Sequence, residues 1–385
     1  MPEPVYLDHF ATTPCDPRVV EAMQPYWYEH FGNAASGHRW GTHANDAVQL
    51  AREQVAQLLS AAPEDIIWTS GATEANNLAL LGFAHWAKAR GIQRHKIITL
   101  SVEHKAVLGP CRALREEGFD LEIAPVNADG RVNEDALFAL IDESTLLVSV
   151  QAANSEIGTL QTMPRIVERA HDYGAVVHCD AAQAVGKIAV DVDHWNVDFL
   201  SLSGHKFYAP KGIGALYARG GRRTPLNPLW HGGGQEAGLR PGTLPVALIA
   251  ALGAACQIAQ QEMTKEALRL QKLRDRFESE VVNALNDVTI NGCLSARLPH
   301  GTSLTFAGID AGELLANVSH LALSTGTACD TGSLSPSPTL LALGLSREVA
   351  QSTLRVAVGR FTNEAQILQA ARDLIAAVRF LHAAE

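Results

Sequence analysis

The sequence predicts an α/β protein with a mostly parallel central sheet, helices on both faces, and a smaller α+β domain. Two observations predict it. Seven short apolar runs alternate with amphipathic stretches as far as residue 218, the pattern of buried parallel strands joined by helices. Beyond residue 256 the texture changes to one long charged helix, then short strands between helices.

The apolar runs are "IIWTS" at 66–70, "KIITL" at 96–100, "LEIAPV" at 121–126, "TLLVSV" at 145–150, "AVVHC" at 175–179, "DFLSL" at 198–202 and "IGALYA" at 213–218. Between most of them lie helical stretches such as "EANNLALLGFAHWAKARG" and "MPRIVERAHDYG", each closing on Gly, a common helix stop. The segment 256–285 reads as one amphipathic helix. Short strands follow at "VTING" and "TSLTFAG", then helices at 312–318, 345–350 and 363–383. The expected division is a large domain over 16–257, with 1–15 and 258–385 forming the small one.

Composition narrows the function. The 385 residues carry a net charge of −10 and a pI near 5.8, so direct nucleic-acid binding through a broad basic surface is not expected. The start, "MPEPVYLDHF", lacks the basic and apolar regions of a secretory signal. No uninterrupted apolar run reaches the ~18 residues of a membrane span. Six scattered cysteines form no CxxC pair, so no metal site is expected, and reduced thiols in the cytoplasm are the plain reading.

Open parallel sheets bind ligands at the carboxyl ends of their strands. Four of those ends carry polar groups. "TSGATEANN" opens a helix at Ala72, where free N–H groups suit a phosphate, although an ordinary N-cap is the plainer reading of that motif alone. "SVEHKAV" supplies His104. Asp180 should sit just past the strand "AVVHC". "SLSGHKFYAPKG" supplies Ser203, His205 and Lys206. A phosphate cradle, a carboxylate and a buried lysine point to pyridoxal phosphate: the lysine amine holds the aldehyde and the carboxylate keeps the pyridine nitrogen protonated. Desolvation keeps such a lysine neutral.

Ten stretches occur in the order found in one family. They are "YLDHFATTP", "FGNAASGH", "TSGATEANN", "EHKAV", "NSEIG", "HCDAAQAVGK", "SGHKFYAPKGIG", "HGGGQEAGLRPGTLPV", "STGTACDTGSLSPSPTLLALGL" and "LRVAVGRFT". The chain resembles the class V aminotransferase-like enzymes, and within them the NifS/IscS-like cysteine desulfurases. The resemblance implies the fold of type I pyridoxal-phosphate transferases. It implies conversion of L-cysteine to L-alanine, with the sulfur held as a persulfide on Cys329 and passed to an acceptor protein.

The pathway would be iron–sulfur assembly, tRNA thiolation or DNA phosphorothioate modification. Selenocysteine lyase, or another enzyme of the class V family, is the alternative.

The resemblance also assigns roles. Lys206 carries the cofactor, Asp180 meets the pyridine nitrogen and Gln183 the ring oxygen. His104 stacks on the ring and shuttles protons. Ala72, Thr73, Ser203 and His205 hold the phosphate, joined by Thr243 across a homodimer interface. Asn154 and Arg355 bind substrate, with Arg355 as a fork for its carboxylate, and Asn33 is a further candidate. Cys329 lies in a stretch of small polar residues that reads as a mobile loop. It is followed by Asp330 where the family has a hydroxyl residue, and a carboxylate there disfavours a thiolate.

Overall fold

Strands covered on both faces should be apolar throughout, and those of the main sheet are. The computed structural model describes residues 4–325 and 336–383. Its strands in chain order are β1 (Val5–Tyr6), β2 (Ile66–Thr69), β3 (Lys96–Leu100), β4 (Asp120–Ala124), β5 (Thr145–Gln151), β6 (Val176–Asp180), β7 (Phe199–Ser203), β8 (Gly214–Ala218), β9 (Val288–Asn291), β10 (Gly301–Phe306), β11 (Leu321–Ala322) and β12 (Thr353–Ala357). Seven of them form one sheet in the order β2-β8-β7-β6-β5-β3-β4. β8 runs antiparallel to both its neighbours, and every other pairing in this sheet is parallel. All seven apolar runs are strands, within a residue or two of their expected bounds.

The two-residue period of the strands divides the core. Ile98, Leu100, Val148 and Val150 face one layer, which includes the helices Arg39–Leu59 and Val246–Ala284. Ile97 and Leu147 face the other, against Ala72–Ala89 and Lys105–Glu116. The long helix begins ten residues before its expected start. It lies close against Arg39–Leu59 because Gly253 has no side chain: a Cβ there would stand 2.6 Å from the Ala51 Cα. One window of this helix is apolar enough to cross a bilayer by composition, yet half of that window is buried inside the fold.

A second core gathers Val5, Leu7, Leu270, Phe277, Leu304, Phe306, Leu354, Val356, Ile367 and Leu374. It lies against the antiparallel sheet β12-β10-β9 and the parallel pair β1-β11. The expected boundary at 257/258 falls inside the long helix. Ile258 and Ala259 still pack in the first core, and Leu270 onward in the second. The short β1 and β11, and β12 at one end of its sheet, were not anticipated as strands.

His178 in β6 is fully buried, with Nδ1 2.8 Å from the Ser149 hydroxyl and Nε2 3.0 Å from that of Ser201. Burial pushes its pKa down to about 4. Above pH ~6.5 the ring is neutral folded or unfolded and costs nothing. As pH falls from 6.5 toward 4 only the unfolded chain takes up the proton, so stability declines, on the order of 3 kcal/mol in all. In His178→Gln the fall in melting temperature between pH 6.5 and 4 should be shallower than in the parent. An identical acid limb in the two proteins would remove His178 as its source.

Candidate active site

Lys206 closes the turn Gly204–Lys206, directly after β7. Its Nζ donates to the carbonyls of Phe10 (2.8 Å) and Ala11 (2.9 Å), so the N-terminal segment forms the seat of the amine. The neighbouring His205 has Nδ1 3.1 Å from the Thr12 hydroxyl. Its carbonyl accepts from the Thr13 N–H (2.9 Å) and hydroxyl (3.0 Å). Burial, then the Lys206, Lys211 and Lys187 charges, pushes the His205 pKa down to about 4, leaving a neutral imidazole.

Asp180 is the last residue of β6 rather than the residue after it. It is 7% exposed. Its Oδ2 accepts from Asn76 Nδ2 (2.8 Å) and its Oδ1 from the Ala182 N–H (3.0 Å). Ser201 on β7 is its register partner. Gln183, one turn on, donates through Nε2 to the Phe10 carbonyl (3.0 Å) and accepts at Oε1 from Lys187 Nζ (2.8 Å).

The helix Ala72–Ala89 begins with no side-chain cap on Gly71. A Cβ on Gly71 would lie 3.4 Å from Ser203 Oγ, so the end of β7 reaches the helix N-terminus. Ser203 Oγ therefore lies beside the start of the helix that Ala72 and Thr73 open. Beside it, Ser70 N–H donates to Glu74 (2.7 Å), whose other oxygen accepts from Arg240 Nε (2.9 Å). This pins the segment before Thr243 to the same helix start. Thr243 itself is exposed.

His104 caps Lys105–Glu116 by accepting the Ala106 N–H at Nδ1 (3.1 Å), which puts a neutral ring's proton on Nε2. Asn154 is almost wholly spent on the backbone. Its Oδ1 accepts from Glu156 and Ile157 and its Nδ2 donates to Val102, leaving one amide hydrogen. Arg355 on β12 pairs with Asp8 (2.7 Å) and donates to the Ser155 carbonyl (3.0 Å), while its Nε, also buried, has no partner among the described residues. The fork is thus partly engaged, with Nε and one hydrogen on each Nη left for a ligand. Asn33 is exposed and its Oδ1 accepts from Ala35, with no bond to the other candidates. Cys329 lies outside the described residues.

Residues missed from sequence complete the site. Phe10 is fully buried, accepts from two candidates, and packs its ring under Arg355 (5.6 Å) and Lys187 (5.8 Å). Glu103 is buried beside Asp180, accepts the Gln151 N–H (2.7 Å), and burial holds its carboxyl well above the usual range. Asn76 and Lys187 lay within quoted motifs, but nothing in their spacing singled them out.

The aminotransferase class-V family profile matches residues 5–369. A cysteine desulfurase IscS of Rickettsia felis is 44% identical over 94% of this chain and 88% of its own. One from Pseudomonas aeruginosa is 44% identical over 97% and 93%. A solved NifS-like protein superposes with a TM-score of 0.90 at 35% identity, over 98% of this chain and all of that one. The chain belongs to the class-V aminotransferases, among the IscS/NifS-like cysteine desulfurases. Lys206, His205, Ser203, Asp180, Gln183 and Asn154 lie at the carboxyl ends of β5, β6 and β7, whereas Asn33 and Thr243 are exposed.

The Asn76–Asp180 bond joins a carboxylate to a buried amide. Asn76→Ala should lower unfolding stability in denaturant by roughly 2 kcal/mol, the worth of a hydrogen bond to a buried charge. A loss below about 0.5 kcal/mol would show that Asp180 is held without it.

Proposed function

We propose that this protein is a pyridoxal-phosphate-dependent cysteine desulfurase that leaves the substrate sulfur on Cys329. The observation that carries the reading is the seat of Lys206, with buried Asp180 ending the adjacent strand. The residues fit the cofactor. Ala72, Thr73 and Ser203 would take its phosphate, Asp180 its pyridine nitrogen, Gln183 its ring oxygen and Lys206 its aldehyde. When bound, that group supplies an electron sink for the substrate's Cα–H electrons.

The chain's own residues do the rest. Arg355 and the remaining amide hydrogen of Asn154 hold the substrate carboxylate. Lys206 Nζ, once free, takes the Cα proton and returns a proton to the product. His104 Nε2 serves the leaving side. Cys329 thiolate bonds to the substrate sulfur as the C–S bond breaks and its electron pair passes to carbon. Overall, cysteine and one enzyme thiol become alanine and one persulfide.

Other thiols are poor rivals. Cys179 is fully buried in the first core, and burial, then Asp180, pushes its pKa well up. Burial likewise raises the Cys111 thiol to about 12, and those of Cys256 and Cys15 upward.

Both flanks of 326–335 are fixed at the site. Ser324 exchanges backbone bonds with Arg355, and the Ser337 hydroxyl donates to Glu156.

A second copy of the chain is part of this reading, with Thr243 reaching its partner's phosphate site. Trp27, Tyr28, Phe31 and Trp40 are all 57–68% exposed in the single chain, more aromatic surface than a lone subunit usually shows. The reduced thiols suit a cytoplasmic setting, and the acceptor is a protein that receives persulfide sulfur.

Lys206→Ala should abolish alanine production and the adduct that borohydride traps. An adduct mapped by mass spectrometry to Lys211 or Lys187 in the parent protein would move the assignment. Cys329→Ser should keep the visible colour of the cofactor-loaded protein, yet release little alanine and carry no persulfide, because a hydroxyl is a far poorer nucleophile at neutral pH. Near-normal alanine from that variant would sink the sulfur-transfer reading.

A further inference from the structure

Lys187 ends the motif "HCDAAQAVGK" and has no role in the proposed chemistry. Among the described residues no carboxylate pairs with it. Its Nζ instead donates to Gln183 Oε1 (2.8 Å) and lies 5.8 Å from the centre of the Phe10 ring. A side-chain amide fits its slot equally well in two orientations. Here the Phe10 carbonyl requires the NH2 on one side and the Lys187 donor requires the oxygen on the other. Flipping the amide would set oxygen against oxygen and donor against donor. The Phe10 carbonyl is also the seat of Lys206. Lys187, Gln183, the Phe10 carbonyl and Lys206 therefore form one connected set.

We infer that Lys187 is a positioning residue of this site, locking the Gln183 amide with its remaining N–H free for a ligand and holding the Phe10 carbonyl in place under the Lys206 amine. This rests on the assignment of Gln183 and Lys206 as cofactor ligands. Two amines in one poorly solvated region also compete for protons. Burial, then the Lys206 and Arg355 charges, drives the Lys187 pKa well down. The other groups facing the pair are His9 and Asp8 from the N-terminal segment, His205 beside Lys206, and His300 before β10. Glu266 of the long helix, already bound to Arg360, lines the small cavity beside Lys187. Asp8 is paired with Arg355 rather than with Lys187.

The test uses Lys187→Met, close in length but without a donor, and Lys187→Arg, which keeps one. In the full chain freed of cofactor, Lys206 acylation by acetic anhydride is followed against pH by mass spectrometry. In the cofactor-loaded chain, the visible absorption band is titrated and kcat and KM are separated. Lys187→Met should move the Lys206 acylation midpoint down, because the Phe10 carbonyl that accepts from the ammonium is no longer held in place and stabilises the charged form less. It should shift the visible titration and lower kcat on the order of tenfold, the worth of one hydrogen bond, with KM changed far less. Lys187→Arg should recover most of kcat. A folded Lys187→Met whose acylation profile and visible titration both match the parent would overturn the inference. Should that variant not fold, Lys187→Leu, also without a donor, carries the same two readouts, and a match to the parent in both would overturn the inference equally. A parent chain that binds no pyridoxal phosphate would instead refute the proposed function, and the acylation comparison would still decide the Lys187–Lys206 coupling.

Discussion

One carbonyl oxygen, that of Phe10, holds the candidate site together. It accepts from Lys206 on the turn after β7 and from Gln183 on the segment after β6. Its own position is set by packing. The Phe10 ring is fully buried against His300, 4.7 Å between centroids, and a Cβ on Gly301 would stand 2.1 Å from it. The segment leading to it adds Val5 and Leu7 to the second core, while Phe10 belongs to the first. The chain's first dozen residues thus cross from one core to the other and deliver the acceptors on which the lysine rests. Neither core can shift against the other without disturbing that seat.

The charges around this seat are lopsided. Lys187, Lys206 and Arg355 converge with the neutral rings of His9, His205 and His300, and Asp8 is the carboxylate that pairs among them. Each histidine is held neutral chiefly by burial and then by these cations. Arg355, paired with Asp8 and with its Nε unpartnered among the described residues, favours an anionic ligand such as an amino-acid carboxylate. Asp180 is fixed separately by Asn76, so the negative end of the site is kept apart from the positive one.

Much of this was legible in the sequence because it is written in side chains. The seven apolar runs and the polar residues at their ends gave the sheet and one edge of it. What was missed has a common physical character. Phe10 acts through its backbone oxygen, which has no residue signature. β1 and β11, two residues each, are too short to show a period. The long helix starts in "VALIAALGAAC", where small residues surround it on all sides and no amphipathic stripe marks the first turns. Asn154 reads as a ligand, and that all but one of its amide hydrogen-bonding positions shape its own loop is something only the fold reveals.

Backbone strain collects just past the lysine. Tyr208 adopts φ +72, a left-handed conformation that a bulky side chain rarely takes, at a cost on the order of 1–3 kcal/mol. Its surroundings over-determine it. The Tyr208 N–H donates to the Thr13 hydroxyl (2.8 Å), its carbonyl accepts from the Asp16 N–H (3.0 Å), and its hydroxyl accepts from the Arg360 N–H (2.6 Å). Arg360 also lies over its ring at 4.1 Å and reaches Asp16 and Glu266. Three of these partners come from the N-terminal segment or from the chain just beyond β12, the same elements that seat Lys206 and Arg355. The tight turn after Lys206 therefore exists only when both cores are assembled around it. This makes the geometry of the amine a property of the whole fold rather than of the local "SGHK" sequence.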